Sequence, residues 1–219
     1  TKLPKFIEIK EDTAYCLGLY TAEGDTGING RCKPSKLRLT NSLIPIIEKF
    51  RDHIILEALK QNKDLIKYYI YLPNKEKINY NYWTKKLDTI KENVHIYYDK
   101  SVTVPKIRVS YENKLALDIV LELIKIVKQI SEDKKNIAKS YLKGLFDGEG
   151  TSYCKKMKYV RIEMKNKEEM EFIHNTLARL NIITKLKERG TRKGMYTIMI
   201  SKYKNVLNFN KNIGFKLHL

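Results

Sequence analysis

The feature that most constrains the fold of this chain is a degenerate internal repeat. Residues 14–25 read AYCLGLYTAEGD, and residues 140–151 read SYLKGLFDGEGT. The two segments share a tyrosine, a Gly-Leu pair, an aromatic residue, a small residue and a final Glu-Gly, so that Glu23 aligns with Glu149. Self-similarity of this kind indicates two copies of one structural unit, packed together as a pseudo-symmetric molecule.

The sequence that follows each copy is also repeated. Residues 36–47 (KLRLTNSLIPII) resemble residues 159–173 (YVRIEMKNKEEMEFI), and both predict a short alternating strand followed by a helix. Residues 93–120 resemble residues 181–209, and each segment predicts two strands around a turn, then a helix. The expected order in each copy is therefore helix, two strands, helix, two strands, helix.

The boundary between the copies is predicted near Ser131, which divides the chain into halves 1–130 and 131–219. The first half is longer, and its surplus lies around residues 54–92, where KYYIYLP predicts an additional strand. Apolar residues recur at helical spacing in residues 115–130, which predicts a helix at the join. Ser131 is predicted to cap the N-terminus of the next helix.

The glycines of the motifs predict a close helix crossing. Gly144 and Gly148 lie on one face of a predicted helix over 134–149, and Gly18 and Ala22 have the same spacing in the first copy. A glycine inside a helix costs about 1 kcal/mol relative to alanine, so something must offset that cost. The physical use of a missing side chain is close backbone approach. We therefore expect the two motif helices to cross tightly.

Each motif ends on an acid and a glycine, Glu23-Gly24 and Glu149-Gly150, and a glycine suits a helix C-terminus. Tight crossing would bring the two carboxylates near each other, where the helix dipoles and the like charge both disfavour ionisation. Carboxylate oxygens in this arrangement suit Mg²⁺ or a similar hard divalent ion. Paired metal ions at a phosphodiester can activate water and stabilise the leaving oxygen. One such helix end is more often an exposed cap, but two copies with similar flanking elements favour a functional interpretation.

The charge of the chain predicts a polyanionic partner. Lys and Arg number 43 against 25 Asp and Glu, which gives a net charge of +18 and a pI near 9.6. The basic residues are spread along the chain among 15 tyrosines, which favours nucleic acid over a membrane surface. No apolar run approaches the length that spans a bilayer.

Cysteine usage predicts a reducing compartment. Cys16, Cys32 and Cys154 form no CxxC pair, so neither a disulfide framework nor a zinc site is indicated. The N-terminal residues lack the apolar stretch of a signal peptide. We expect a cytoplasmic, nucleoid-associated protein of a prokaryote or a protein of an organellar matrix.

With these residues in view, CLGLYTAEG (16–24) and YLKGLFDGEG (141–150) resemble the two signature motifs of LAGLIDADG homing endonucleases, in the monomeric two-motif form. The resemblance covers nearly the whole chain. It implies an α+β fold of two αββαββα halves, with the motif helices at the central interface and an antiparallel four-stranded DNA-binding sheet in each half. It also implies a monomer that makes a double-strand break at a long DNA target in intron homing. The implied cofactor is Mg²⁺, with Mn²⁺ or Ca²⁺ able to occupy the same sites.

The resemblance also implies roles for individual residues. Glu23 and Glu149 would bind the catalytic metals, and Thr21 and Asp147 stand at a sixth motif position that is usually structural. Asn41 matches a polar residue near the scissile phosphates, but Met164 stands at that place in the second half, which predicts unequal active sites. The remaining candidates are the metal-site neighbours Ala22, Gly24, Gly148 and Gly150 and the peripheral lysines Lys134 or Lys135, and Lys216.

Strand alternation predicts which side chains face DNA, because successive residues of a strand point to opposite faces. Leu37 and Leu39 should face the core, as should Val160, Ile162 and Met164. The residues expected on the DNA side, where Lys and Arg contact phosphates or read guanine, are Lys36, Arg38, Thr40, Lys106, Arg108, Ser110, Tyr159, Arg161, Glu163, Lys185, Lys187, Arg189, Arg192 and Lys193.

Two rival functions stay open. The same fold could serve a nucleic-acid-binding protein without cleavage, either an intron maturase, which would also bind RNA, or a transcriptional regulator. Retention of both acids favours cleavage, because a pure binder gains nothing from two facing carboxylates. A generic basic ribosome-associated protein would leave the repeat unexplained.

Overall fold

The computed structural model describes residues 3–25, 35–73, 77–153 and 159–215. The chain divides into two compact units. The first unit comprises Thr1–Ile9 and Glu23–Leu123, and the second unit comprises Lys10–Ala22 and Ile124–Leu219. The second unit therefore contains the whole of the second motif helix. It also contains the first motif helix as far as Ala22. The division into halves 1–130 and 131–219 stays a prediction.

The described residues form an α+β structure, as the resemblance implied. The helices are α1 (Glu11–Glu23), α2 (Ile44–Phe50), α3 (Tyr80–Leu87), α4 (Lys114–Asp133), α5 (Lys135–Glu149), α6 (Lys167–Arg179) and α7 (Tyr203–Asn212). The strands are β1 (Gly24–Asp25), β2 (Leu37–Asn41), β3 (Ile66–Leu72), β4 (Val94–Tyr98), β5 (Lys106–Tyr111), β6 (Gly150–Tyr153), β7 (Tyr159–Met164), β8 (Lys185–Glu188) and β9 (Tyr196–Ile200). A π-helical segment, Arg51–Ala58, continues α2. No helix in the described ranges is long and apolar enough to cross a membrane.

The sheet of the first unit has five strands in the order β1-β2-β5-β3-β4, where four antiparallel strands were expected. The predicted extra strand exists as β3, but it lies between β4 and β5, the two strands that were expected to pair around a turn. β3 alternates between fully buried residues such as Tyr68 and Ile70 and half-buried ones, so it suits a central position. β4 runs parallel to β3 at the sheet edge, and α3 lies in the connection between them, as parallel pairing requires.

The sheet of the second unit matches the expectation. Its four strands follow the order β6-β7-β9-β8, and every pair is antiparallel. Val160 and Ile162 are buried as predicted, whereas Met164 at the end of β7 is only half-buried. In the first unit, Leu37 and Leu39 of β2 are fully buried, so the predicted alternation holds on both sheets.

The helix at the join is longer than predicted. α4 extends to Asp133 and includes Ser131, whose buried hydroxyl donates to the backbone carbonyl of Val127 at 2.6 Å. The prediction that Ser131 caps α5 is therefore wrong, because its hydroxyl satisfies the preceding turn of its own helix. The N-cap position of α5 is Lys134. Its backbone is extended, and its side chain makes no capping hydrogen bond.

Candidate functional site

The two motif helices cross within the second unit at equivalent glycines. A Cβ on Gly18 would overlap the carbonyl oxygen of Tyr141 and stand 3.0 Å from the backbone nitrogen of Leu145. A Cβ on Gly144 would likewise overlap the carbonyl oxygen of Tyr15 and stand 2.8 Å from the backbone nitrogen of Leu19. The obstacles are backbone atoms, which cannot swing away as a flexible side chain does. The predicted close crossing of α1 and α5 is confirmed.

Each motif helix also bonds to the sixth motif position of the other. The Tyr15 hydroxyl donates to Asp147 Oδ2 at 2.8 Å, and the hydroxyls of Tyr141 and Thr21 lie 2.9 Å apart. Tyr15 and Tyr141 are equivalent in the repeat, as are Thr21 and Asp147. The two contacts therefore join equivalent positions of the repeat, with a carboxylate at one and a hydroxyl at the other, which fits a structural role for this motif position.

The missing acid at Thr21 is replaced by one from outside the motif. Tyr141 donates its proton to Glu169 Oε1 at 3.0 Å, and Glu169 of α6 is 1% exposed and forms an ion pair with Lys128. Burial, reinforced by the neighbouring carboxylates Asp147 and Glu169, raises the pKa values of Tyr15 and Tyr141. Both hydroxyls are therefore held as donors to a carboxylate at neutral pH.

Glu149 is the last residue of α5 and keeps contact with solvent. Partial burial of its carboxyl group raises the pKa of Glu149, and it makes no hydrogen bond or ion pair with another described residue. Gly150 follows in an extended conformation, with φ −77° and ψ 148°, not in the left-handed one of a glycine cap. The glycine is needed because a Cβ there would overlap the carbonyl oxygen of Phe146.

Glu23 ends α1 and lines a polar cavity of about 480 Å³ in the first unit. Asn41 lines the same cavity, so the structure brings these two predicted site residues together. The Asn41 Oδ1 atom accepts the backbone N–H of Leu43 at 2.9 Å, which fixes the side chain at the end of β2. Two basic residues from the predicted DNA-facing set, Lys106 and Arg108, border the cavity.

The structure places the other predicted catalytic and metal residues as follows. Ala22 is in α1, Gly24 begins β1, Gly148 is in α5, and Lys134 and Lys135 are exposed at the start of α5. Lys216 lies outside the described residues, as do Cys32 and Cys154. No group of three or more His, Cys, Asp or Glu side chains within the described part of the chain is arranged to hold a metal. The proximity of Glu23 to Glu149 stays a prediction.

The open face of the first sheet carries the basic residues that strand alternation predicted there. Arg108 is held in place: its Nε donates to Thr40 Oγ1 at 3.0 Å, its Nη1 donates to the Tyr71 hydroxyl at 2.8 Å, and its guanidinium carbon lies 5.2 Å from the centre of the Tyr71 ring. Arg38 donates to Asp25 at 2.7 Å. Ser110 shares this face but is fully buried, and its contact with DNA stays a prediction.

The open face of the second sheet carries a charge cluster. Glu163 on β7 pairs with Arg189 at 2.9 Å and with Arg161 at 3.5 Å. The remaining predicted DNA-facing residues of this unit are the half-buried Tyr159 on β7, the exposed Lys185 and Lys187 on β8, and the exposed Arg192 and Lys193 after it.

Sequence reasoning missed a row of aromatic side chains on the first sheet. Tyr69 and Tyr71 of β3 and His95 and Tyr97 of β4 share its open face and stack, with ring centres between 5.0 and 6.4 Å apart. The signal was present in KYYIYLP and VHIYY, where aromatic residues recur at every second position. The pattern predicts a strand, but it reveals the shared face only once the pairing of β3 with β4 is known.

Comparison with known proteins supports the resemblance seen in the motifs. Residues 136–214 match the model of a LAGLIDADG-like domain. No curated protein matches the chain by sequence.

Solved structures match the fold over nearly the whole chain. The crystal structure of I-DmoI in complex with DNA and Mn matches with a TM-score of 0.55 at 18% identity, covering 95% of this chain and 98% of that chain. I-DmoI in complex with DNA and Ca matches with a TM-score of 0.54 at 19% identity, over 93% and 88%. The N-terminal LAGLIDADG domain of DUF199/WhiA matches with a TM-score of 0.55 at 14% identity, over 96% and 85%. At these identities the likeness shows the fold, and the resemblance to two-motif LAGLIDADG proteins is confirmed.

Proposed function

We propose that this chain, which has the LAGLIDADG fold, is a divalent-metal-dependent endonuclease that hydrolyses both strands of a long DNA target. The observation that carries the proposal is the crossing of α1 and α5 at Gly18 and Gly144. Each helix continues about one and a half turns beyond its crossing glycine to an acid, Glu23 or Glu149. Each acid thus has the same position along its own helix, which supports the proposal of one acid for each of two cleavage sites.

The donor set fits a hard divalent cation. Partial burial disfavours the charged form of Glu149, and no described cation compensates it, so a bound divalent ion would stabilise the carboxylate. Carboxylate oxygens are the donors that Mg²⁺, Mn²⁺ and Ca²⁺ accept. We propose that Glu23 and Glu149 hold the ions, with the motif residues Ala22, Gly24, Gly148 and Gly150 beside them. When bound, the metal would activate water and stabilise the leaving oxygen.

The side chains around Glu23 would position the substrate. Asn41, fixed through Leu43, keeps its amide N–H groups available to orient water or a phosphate oxygen in the cavity. Lys106 and Arg108 border the same cavity and would attract the phosphodiester. Lys216 is proposed as a peripheral lysine that contacts phosphate. Lys134 begins the helix that ends at Glu149, about 22 Å away along its axis, so any phosphate that Lys134 contacts lies away from that acid.

We further propose that the open faces of both sheets bind the DNA duplex. The net charge of +18 and the basic residues on each face support this assignment. With about eight phosphates contacted, the logarithm of the binding constant should fall with the logarithm of salt concentration at a slope near −7. A slope near zero would remove the electrostatic argument.

The test is cleavage of targets selected from a random duplex library in the presence of Mg²⁺. Glu149→Gln and Glu23→Gln should each abolish cleavage and leave binding largely intact, because the amide keeps the size but loses the negative charge. Glu132→Gln changes an exposed acid in α4 and serves as the matched control. Nicking at the wild-type rate by either motif variant would contradict the assignment.

A non-cleaving nucleic-acid-binding protein of the same fold is the second candidate. The fold match extends to both I-DmoI and the WhiA domain, so the fold alone does not decide between the two functions. Retention of both motif acids favours cleavage. If the wild-type chain binds its selected duplex but cuts neither strand with Mg²⁺ or Mn²⁺, the binding function is correct. RNA would then be tested as the partner of a maturase.

A further inference from the structure

The open face of the first sheet contains a continuous stack of five planar groups. The Arg108 guanidinium lies over Tyr71, Tyr71 stacks on Tyr97 at 6.1 Å, Tyr97 on Tyr69 at 6.4 Å, and Tyr69 on His95 at 5.0 Å. The ring planes differ by only 15° to 27° along the series. Tyr97, on the edge strand β4, is 48% exposed. The stack therefore reaches solvent at the edge of the sheet.

A basic cleft of about 280 Å³ lies beside this stack. Its walls are the three tyrosines Tyr69, Tyr71 and Tyr97 and the three cations Lys36, Arg38 and Arg108. Two polar atoms at the cleft, the hydroxyl of the fully buried Ser110 and the Nε of Arg38, have no hydrogen-bond partner among the described residues. Because buried polar atoms are nearly always satisfied by protein or ordered water, these two atoms favour a water or a polar ligand group at the floor of the cleft.

We propose that the aromatic stack and its cleft bind unpaired nucleotides of single-stranded nucleic acid. The tyrosine rings would accept the bases by stacking, and Lys36, Arg38 and Arg108 would hold the phosphates. Aromatic side chains beside a basic groove are the combination that binds single strands without sequence preference. The cleft does not include Glu23 or Glu149, but Tyr71 and Arg108 border both the cleft and the Glu23 cavity. The binding proposal does not depend on the proposed cleavage.

The aromatic rings within this proposed duplex-binding face suit an unpaired base better than a paired one. A base in a duplex has both of its faces covered by its neighbours, so it can offer a tyrosine only its edge. The stack would also add little to duplex binding through charge, because Arg108 is its one permanently charged member. Its apolar ring area is useful chiefly to a base that has left its own stack.

The test compares strands with the same phosphates but different bases. Binding of the full chain to a ten-nucleotide oligo(dT), to an oligo(U) of that length and to a fully abasic strand would be measured by fluorescence anisotropy. We expect base-bearing strands to bind about tenfold or more tightly than the abasic strand, since each stacked base contributes a factor of this order. Tighter binding of oligo(U) would identify RNA as the ligand, and equal or tighter binding of oligo(dT) would identify single-stranded DNA.

Variants of the stack should remove this preference. Tyr97→Leu and Tyr71→Leu should bring the base-bearing and abasic strands to within about twofold of each other, and circular dichroism would show that each variant is folded. Tyr97→Phe keeps the ring and should keep the preference. Tyr98→Leu is the matched control, because Tyr98 is the next residue of β4 and points to the other face.

The inference is overturned if the wild-type chain binds dT, U and abasic strands equally, or if Tyr97→Leu and Tyr71→Leu retain the wild-type ratio. Failure of the proposed endonuclease would look different. Glu149→Gln should keep the full preference for base-bearing strands while losing cleavage of the duplex, so each proposal can fail without the other.

Discussion

The two motif helices make the same contact with different chemistry. On one side Tyr15 donates to the motif acid Asp147, and on the other Tyr141 faces Thr21 and gives its proton to Glu169 of α6. The geometry of the repeat is therefore preserved while the negative charge at one site comes from outside it. A motif that departs from its partner at one position can be completed by a residue far away in the sequence.

The two sheets differ in which strand pairs with β5 or with its equivalent, β9. In the second unit, β8 pairs antiparallel with β9, and in the first unit β3 takes the equivalent place beside β5. The strand that was aligned with β8 in the repeat, β4, is displaced to the edge and runs parallel. The inserted strand β3 has thus taken the place of the aligned strand β4 beside β5. The displaced strand β4 carries two of the five planar groups of the stack.

The largest effect should come from breaking the shared geometry at the crossing. Gly144→Ala should destabilise the protein by more than about 3 kcal/mol, because its Cβ would overlap the Tyr15 carbonyl and only backbone movement could relieve the clash. The gain of about 1 kcal/mol in helix propensity is too small to compensate. Gly18→Ala should behave alike, and chemical denaturation would measure both.

Gly190→Ala is the control for the crossing variants, because nothing lies within 4 Å of a Cβ there. It should change the unfolding free energy by less than about 0.5 kcal/mol. A neutral Gly144→Ala would mean that the helices do not depend on contact at the glycines.

A smaller loss should follow from removing the substitute acid. Glu169→Ala should cost about 3 kcal/mol, at the low end for a broken buried ion pair because Lys128 keeps some contact with solvent. Glu168→Ala, at the exposed neighbouring position, should be nearly neutral. Equal effects of the two variants in denaturation experiments would show that Glu169 is not a substitute for the motif acid.

Restoring the motif symmetry should itself be harmful. Thr21→Asp would place a second carboxylate beside the Tyr141 hydroxyl, whose proton already goes to Glu169, and we expect a loss of about 1–2 kcal/mol. In the Glu169→Gln background the same substitution should cost less, because the competing charge has gone. A double-mutant cycle measures this coupling. If Thr21→Asp is stabilising with Glu169 present, the two acids do not compete.

These cases show what the sequence could and could not predict. The crossing glycines were predictable because an unexplained glycine pair inside a helix is a local signal that recurs in both copies. Glu169 was not, because an acid near the start of a helix reads as an ordinary charge in its first turn. The position of β3 in the sheet was also not predictable. Alternation identifies a strand and its two faces, but it does not show which strands lie beside it.

The smallest predicted effect compares the open faces of the two sheets. Each face has an acid that holds two cations: Glu112 pairs with Lys36 at 2.6 Å and Lys67 at 3.5 Å, and Glu163 pairs with Arg189 and Arg161. Pairing with Lys36 lowers the pKa of Glu112, so this carboxylate stays charged and competes with DNA phosphates for both lysines. Glu112→Gln should therefore raise affinity for duplex DNA about two- to fivefold and make the salt slope steeper by about 1–2.

Glu163→Gln should have a similar but distinct effect. The amide would still accept from one arginine, and a freed arginine can read guanine in a bidentate manner, so a gain in affinity should come with a change in preferred sequence. Anisotropy at several salt concentrations and selection from a random library would measure the two effects. If Glu163→Gln weakens binding while Glu112→Gln strengthens it, then Glu163 positions its arginines for DNA and the acids on the two faces have opposite roles.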